Sequence, residues 1–587
     1  MKQFFKFMFA SMFGVIIGAF LLIFILVGII GAFAGGKSDK EVGLNENSVL
    51  ELDINYVIPE RSLNNPFEGL NIGGFGEAKA MGLQEILSNI KKAASNEMVK
   101  GIYLKAEISP NSYATLEEIR NELINFKKSG KFIIAYGEYM DEHAYYVASV
   151  SDKVFLNPSG EILLNGFSQQ VMYLKGMFQK IGVEPELIRH GKYKSAGEPL
   201  IADKMSNENR QQIEAYMGNL YQHFISGIAK SRKLKTEEMH AIVDQLKIRQ
   251  AEDAVALKVI DGLKYKDEVD AFIRKQLGIE EKEKIAFVNM GKMKNVKGNT
   301  SISDNKIAVV YCVGDIAGGE GDDETMGSDR IAETIKKVRE DDSYKALVLR
   351  INSPGGSALA SDVMWREISL CKKKKPVIVS MGAVAASGGY YIAAPADVIV
   401  AQPNTITGSI GVFGLMINAK DLLNNKLGIK IETVKFGEFS DLGSPDRPLN
   451  EAERKVIQSA IDRVYTDFVK RVSEGRKMTA AQVDSIAQGR VWSGIEAKQV
   501  GLVDEFGGLD KAIEIAVKKA KLSEHRVVNL PDLKDPFEEI FKSMSGEASA
   551  YFMKQELGSN YQQYLDAKKA LQYQGIQVRM PFTVEVK

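Results

Sequence analysis

The chain has 587 residues, too many for one compact core, so two large domains or one domain written twice is expected. Lysine plus arginine and aspartate plus glutamate balance at 76 each, which removes the basic excess that a nucleic-acid partner would leave. The only two cysteines, Cys312 and Cys371, are too few for a zinc site or a disulfide framework. Both stand in apolar settings where buried free thiols are expected, with a single bridge as the alternative.

In chain order, Lys2 and Lys6 precede Phe7–Ala34, an uncharged apolar run. At about 1.5 Å per residue it is long enough to cross a hydrocarbon core of about 30 Å. Ala32-Phe33-Ala34 has the form of a signal-peptide cleavage site, but the run is about twice as long as a signal h-region needs. The reading is therefore a retained transmembrane signal-anchor helix over residues 7–34. Residues 1–6 carry only positive charge, whereas Lys37 and Lys40 are offset by Asp39 and Glu41. That asymmetry keeps the N-terminus cytoplasmic and exports the body.

A polar linker, Gly35–Asn47, leads to a strand at Val49–Val57, a helix at Gly82–Ala94 and a strand at Ile102–Lys105. A helix near Leu116–Lys128, the strand Phe132–Tyr136 and a helix start at Tyr145 follow. The same order recurs in Ile307–Val313, Asp329–Arg339, Ala346–Leu349, Leu359–Cys371, Val377–Ser380 and Tyr390. Ile90-Lys91-Lys92 matches Ile335-Lys336-Lys337 and Tyr145-Tyr146 matches Tyr390-Tyr391, both at an offset of 245 residues. Alternating strands and helices in each copy indicate an α/β unit with right-handed crossovers. The soluble part thus reads as a tandem duplication, residues 48–291 and 305–522, joined near Lys292–Asp304. Asn207–Arg232 and Glu451–Arg476 carry helical periodicity and are placed to cover or bridge the copies. The tail, residues 523–587, ends in a strand candidate at Val578–Val586 that suits docking on the chain itself as well as on a partner.

The chemistry concentrates in Val377–Pro395, VIVSMGAVAASGGYYIAAP. A β-branched strand runs through small residues into Ser387-Gly388-Gly389 and then a helix, which places the serine at a strand-to-helix turn. There, glycines admit an acyl group close to the backbone and the helix N-terminus offers N–H groups to a developing oxyanion. A second glycine turn, Asn352-Ser353-Pro354-Gly355-Gly356-Ser357, closes the strand Ala346–Leu349. Together the turns can direct one N–H from Gly356 and one from Gly388 at the same carbonyl oxygen. N-S-P-G-G-S followed about thirty residues later by A-A-S-G-G-Y-Y-I-A resembles the signal peptide peptidase A family, serine peptidases of the ClpP/crotonase fold group. On that resemblance, which spans roughly Val49 to Ile513, each copy is a ClpP/crotonase-like domain.

The copies differ where it matters. In the repeat register Glu142 stands in the first copy for Ser387, His143 for Gly388, and Asn111-Ser112 for Gly355-Gly356. Conversely, Lys194 of Lys192-Tyr193-Lys194-Ser195-Ala196 falls opposite Ser440. A base in one copy and a nucleophile in the other suggest a Ser/Lys dyad assembled at their interface. Lysine serves as base only when neutral, so the site must desolvate it. The resemblance implies the same assignment: Ser387 as nucleophile, Lys194 as general base, Ser409 as the residue orienting the lysine, and Gly356 and Gly388 as the oxyanion hole. Lys192 stands two residues away as an alternative base, and His190 is the histidine nearest a weaker Ser/His/Asp reading. No metal-ligand spacing and no cofactor motif occur.

By the same resemblance the chain looks like the long, two-repeat bacterial form of the family. Its members are membrane-anchored endopeptidases of the inner membrane that degrade signal peptides left behind after secretion. The family implies a homotetramer, with lipid contacted through the N-terminal helix and the catalytic body on the extracytoplasmic side. Small residues around Ser387 and the apolar Ile410–Met416 run suit hydrophobic substrate positions with small side chains. A crotonase-like acyl-thioester enzyme and a non-catalytic membrane scaffold are the alternatives.

Overall fold

The computed structural model describes residues 43–62, 80–297, 303–533 and 576–580, with scattered helical positions between 3 and 21. The anchor expected over 7–34 therefore lies largely outside the described residues. Among the described residues no helix is long and apolar enough to cross a membrane.

Two parallel sheets carry the chain. The first has the order β6 (Gly262–Leu263), β4 (Lys153–Ile162), β3 (Phe132–Met140), β2 (Val99–Lys105), β1 (Ser48–Asp53) and β7 (Phe287–Asn289). The second repeats it as β18 (Glu505–Phe506), β14 (Val398–Ala401), β13 (Val377–Ala386), β11 (Tyr344–Ser353), β8 (Lys306–Val313) and β19 (Arg526–Leu530). β15 (Ile406–Gly408) and β17 (Val491–Ser493) extend it beside the end of β13. The duplication expected from the sequence is thus a duplication of topology. β19 joins the second sheet past the expected boundary at 522, in the place that β7 takes in the first.

Both faces of each sheet are covered, as strands with unbroken apolar runs require. In the first copy Leu50, Ile102, Leu104 and Ile133 pack on one face, while Val49, Tyr103 and Ile134 pack on the other against Val269 and Ile273 of the helix Lys266–Leu277. The second copy repeats the alternation: Val310, Leu349 and Val379 face one way, and Val309, Val348 and Ile378 face Ala512 and Ala516 of the helix Leu509–Lys519. Cys312 and Cys371 are buried free thiols in the second core.

A third sheet ties the copies together, in the order β10 (Thr325–Gly327), β9 (Asp315–Ala317), β12 (Gly355–Ser357), β20 (Ile576–Arg579), β16 (Val412–Asn418) and β5 (Glu184–His190). β5 belongs to the first copy and pairs antiparallel with β16 of the second, from His190 opposite Val412 to Glu184 opposite Asn418. The segment after β5 is thereby delivered against the end of β13. A buried ion cluster reinforces the junction: Arg350 on β11 bonds Glu60 and Glu118 of the first copy, each at 2.7 Å.

Candidate active site

β13 runs on through the small residues to Ala386, and Ser387 caps the helix Gly388–Ala393 with φ 56° and ψ −114°. A non-glycine residue at positive φ is strained, and such strain persists where the surroundings hold it. Here Ser387 N donates to Gly408 O at 2.8 Å and Ser387 O accepts from Tyr391 N at 2.8 Å. The serine is fully buried.

Lys194 reaches it from the other copy. Its Nζ lies 2.8 Å from Ser387 Oγ, 3.0 Å from Ser409 Oγ and 3.1 Å from Ser409 O. These are neutral partners. Lys194 is fully buried, and desolvation pushes its pKa well below the ordinary lysine value. Burial without a counter-charge favours the free amine, the form that can take a proton from a hydroxyl. Ser409 is itself held at φ 50° by its N–H donating to Arg490 O at 2.7 Å.

The lysine loop is fixed by residues the sequence did not single out. Tyr193 N donates to Gln488 O, and Arg189 Nη1 donates to Lys194 O at 2.9 Å. Gln212 Nε2 donates to Tyr193 O and Ser195 Oγ, while its Oε1 accepts from Val491 N on β17. A side chain on Gly489 would lie 2.6 Å from Lys194 Cβ, so the backbone there forms the wall of the lysine's slot. None of these positions belongs to a local motif.

Lys192 is exposed and lies over the Tyr193 ring, so the structure does not bring it to Ser387. His190 bonds Asp462 through Nδ1 at 2.7 Å and stacks on Tyr465, which directs it away from a triad with Ser387.

The two glycine turns lie against each other. Gly388 opens its helix, so its N–H lies outside the intrahelical ladder. Gly355 has φ 101°, and a Cβ there would stand 2.7 Å from Gly388 N, which requires glycine. Gly356 pairs with Ile316 on one side and Val578 on the other. The C-terminal strand β20 lies antiparallel on both β12 and β16. Its Val578 carbonyl sits beside the turn, 2.2 Å from where a Gly355 Cβ would be and 3.1 Å from that of Gly388. Val578 and Met580 are buried, and Met580 N donates to Pro354 O at 2.7 Å. The strand candidate of the tail therefore begins at Ile576 and docks on the chain itself; residues 581–587 lie outside the described residues.

In the first copy Asp141, and not Glu142, holds the position of Ser387. Met140 pairs with Ile162 as Ala386 pairs with Gly408, and Asp141 and Ser387 each cap the following helix. One extra residue before the tyrosine pair causes the slip. Polar side chains fill this turn: Asp141 accepts from Ala144 N and Ser109 N, Glu142 from Asn165 N and Gly166 N, and Asn111 bonds Ile54, Tyr56 and Ile58 backbone groups. His143 stacks on Tyr113. The N–H groups of Ser109 and Ala144 are thus spent on the turn's own carboxylate.

The family model "Peptidase family S49" matches residues 125–280 and 369–523, one stretch in each copy. "Serine protease SPPA, chloroplastic" of Arabidopsis thaliana is 36% identical over 479 residues, covering 80% of this chain and 70% of that protein. "Protease 4" of Salmonella typhi is 34% identical over 536 residues, covering 87% of this chain and 85% of that one. Among solved structures, a ClpP1 mutant from Listeria monocytogenes matches at 16% identity and a TM-score of 0.24, over 35% of this chain and 94% of that chain. The family match and the two protease relatives set aside the acyl-thioester and scaffold alternatives. The chain belongs to peptidase family S49 and is a serine peptidase built on a duplicated α/β fold.

Proposed function

We propose that the protein is a membrane-anchored endopeptidase that degrades signal peptides remaining in the membrane after secretion, using Ser387 and Lys194 as a cross-copy dyad. The observation that carries this reading is the buried, counter-charge-free Lys194 amine 2.8 Å from Ser387 Oγ. Neutral Lys194 takes the serine proton as Oγ attacks the scissile carbonyl, and the resulting ammonium gives it to the leaving amine. Water then enters by the same route and releases the acyl group. Ser409 positions the amine through its hydroxyl and carbonyl oxygens. The N–H groups of Gly356 and Gly388 receive the oxyanion, a role in which one donor is typically worth about 10²–10³ in rate.

The position of β20 supports an extended substrate: a chain segment lies as a strand between β12 and β16 with a carbonyl at the glycine turn. Val578 and Met580 are both buried there, in keeping with apolar side chains on the substrate. In this reading β20 holds the place of the substrate until it is displaced. The repeats over 48–291 and 305–522, the anchor over 7–34, a cytoplasmic N-terminus, an extracytoplasmic body at the bacterial inner membrane and a homotetramer complete the proposal. They rest on the apolar N-terminal run, the charge asymmetry across it and the resemblance to the signal peptide peptidase A family.

The test is hydrolysis of synthetic signal peptides in detergent micelles by the full chain, with Ser387→Ala and Lys194→Ala beside it. Cleavage within the apolar core by the wild type and its loss in both variants support the reading. Retained cleavage in Lys194→Ala, or preference for charged residues beside the scissile bond, refutes it.

A further inference from the structure

The duplication leaves one strand pairing unmade. Within the chain, the first copy contributes β5 and the second contributes β16 to an antiparallel pair. Shifted by 246 residues, β5 corresponds to 430–436 and β16 to 166–172. The correspondence needs no gap between Asn165–Gly191 and Gly411–Gly437, and it aligns Phe167 with Phe413, Lys180 with Lys426, Gly182 with Gly428 and Glu186 with Glu432. Neither corresponding segment belongs to a helix, and neither is paired with a described strand. Residues 430–436 are exposed throughout; Val434 is 84% and Phe436 100% exposed. Unpaired backbone with protruding apolar side chains is a template for another strand.

We propose that a second copy of this chain covers this edge, so that residues 430–436 of one protomer pair antiparallel with residues 166–172 of the next. The register is that of the internal junction: Phe436 stands opposite Gly166, Val434 opposite Ser168 and Lys430 opposite Met172, as His190, Ile188 and Glu184 stand opposite Val412, Gly414 and Asn418.

Two side-chain contacts fix the match independently of the strand register. At the internal junction Glu186 forms an ion pair with Arg454, and the His190 ring stacks on Tyr465 with centroids 3.9 Å apart. Arg454 and Tyr465 lie on the helix Glu451–Arg476, whose counterpart Asn207–Arg232 has the same 26-residue length and the same left-handed C-cap lysine. Superposing the helix starts carries Arg454 onto Arg210 and Tyr465 onto Tyr221. The second match is supported by a shared bond: Tyr465 donates to Asp484 on the next helix and Tyr221 to Asp244 on its own next helix. Glu432 and Arg210 are both exposed. Across the proposed contact Glu432 therefore meets Arg210 of the partner subunit, and Phe436 stacks on Tyr221 of the partner subunit. Each protomer carries one edge of each kind, so the contact is head-to-tail and builds a ring when the rotation closes. This deepens the homotetramer reading, on which the closure at four copies rests, by naming the surface.

The test uses the full chain in detergent, with mass read by light scattering. The wild type is expected to be oligomeric. Phe436→Asp, Glu432→Arg and Arg210→Glu are each expected to weaken self-association by about tenfold or more, and the double variant Glu432→Arg/Arg210→Glu to recover most of it. Should a variant fold poorly, Ser168→Cys with Val434→Cys in one chain gives a second reading. These positions face each other in an antiparallel pair within disulfide reach, and oxidation should give a ladder of chains cross-linked between protomers. An oligomer that is unmoved by the single variants and gives no ladder overturns the contact while leaving the assembly standing. A monomeric wild type without a ladder overturns both.

Discussion

Lys194 Nζ and Ser387 Oγ lie 2.8 Å apart across the junction of two copies of one fold, 193 positions apart in sequence. The copies have specialised in opposite directions. The first keeps the amine and fills its own turn with Asp141, Glu142 and Asn111. The second keeps the alcohol and open glycines, and carries an exposed Ser440 where the lysine would be.

Activity should depend on a lysine that ionises early. Burial holds Lys194 well below its ordinary value, so the neutral base is present above that lowered pKa and lost as pH falls through it. kcat/KM is expected to rise with pH through one ionisation below about 10.4, the ordinary lysine value, and then level off. Ser409→Ala removes an acceptor of the ammonium, so this limb should move to lower pH while kcat falls about tenfold. An unmoved limb in a pH-rate profile would remove Ser409 from the lysine's environment.

Gly388→Ala should cost rate without unfolding the protein. The added methyl would lie 2.7 Å from Ser361 Oγ and 3.0 Å from Ile316 Cδ1, displacing the N–H proposed to receive the oxyanion. A fall in kcat of about 10²-fold with an unchanged thermal midpoint is expected. Steady-state kinetics beside a melting curve checks both halves.

Arg350→Leu is expected to destabilise the junction by about 3–5 kcal/mol, because it leaves Glu60 and Glu118 buried without their counter-charge. Glu60 also accepts from Asn352 Nδ2 at 2.8 Å, and Asn352 Oδ1 accepts from Val384 N on β13. The same substitution should therefore loosen the turn ahead of Gly355. Urea unfolding measures the first effect and kcat the second.

Deleting residues 576–587 should raise activity. β20 lies in the slot between β12 and β16, and a tethered strand competes at an effective concentration in the millimolar range. kcat/KM for a short peptide is expected to increase about tenfold or more when it is removed. Unchanged kinetics would mean that substrate enters by another path.

The duplication was legible because strand-helix alternation and the tyrosine pairs survive in both halves, and the glycine turns because only glycine fits such close backbone approach at Gly355. Lys194 was singled out by comparison with its counterpart and by the family resemblance, since a lone lysine carries no local signal of burial. Other features were hidden for tertiary reasons. Glu60 and Glu118 look like surface carboxylates until Arg350 is placed between them. Gln212 sits on a polar helix and gains meaning only from the loop it holds. The slip that puts Asp141 at the serine's position arises from one inserted residue that overlaying the tyrosine pairs conceals. A strand was legible in the tail from Val578, but where β20 docks was not, because its pairing depends on two strands more than 150 residues upstream.

The most direct measurement is the rate at which a fluorophosphonate labels Ser387 in the wild type and in Lys194→Ala, followed across pH. The wild type should label through an ionisation below the ordinary lysine range, and Lys194→Ala should label about 10³-fold more slowly with that ionisation gone. Equal labelling rates with the same pH dependence in both proteins would contradict a base supplied by the first copy.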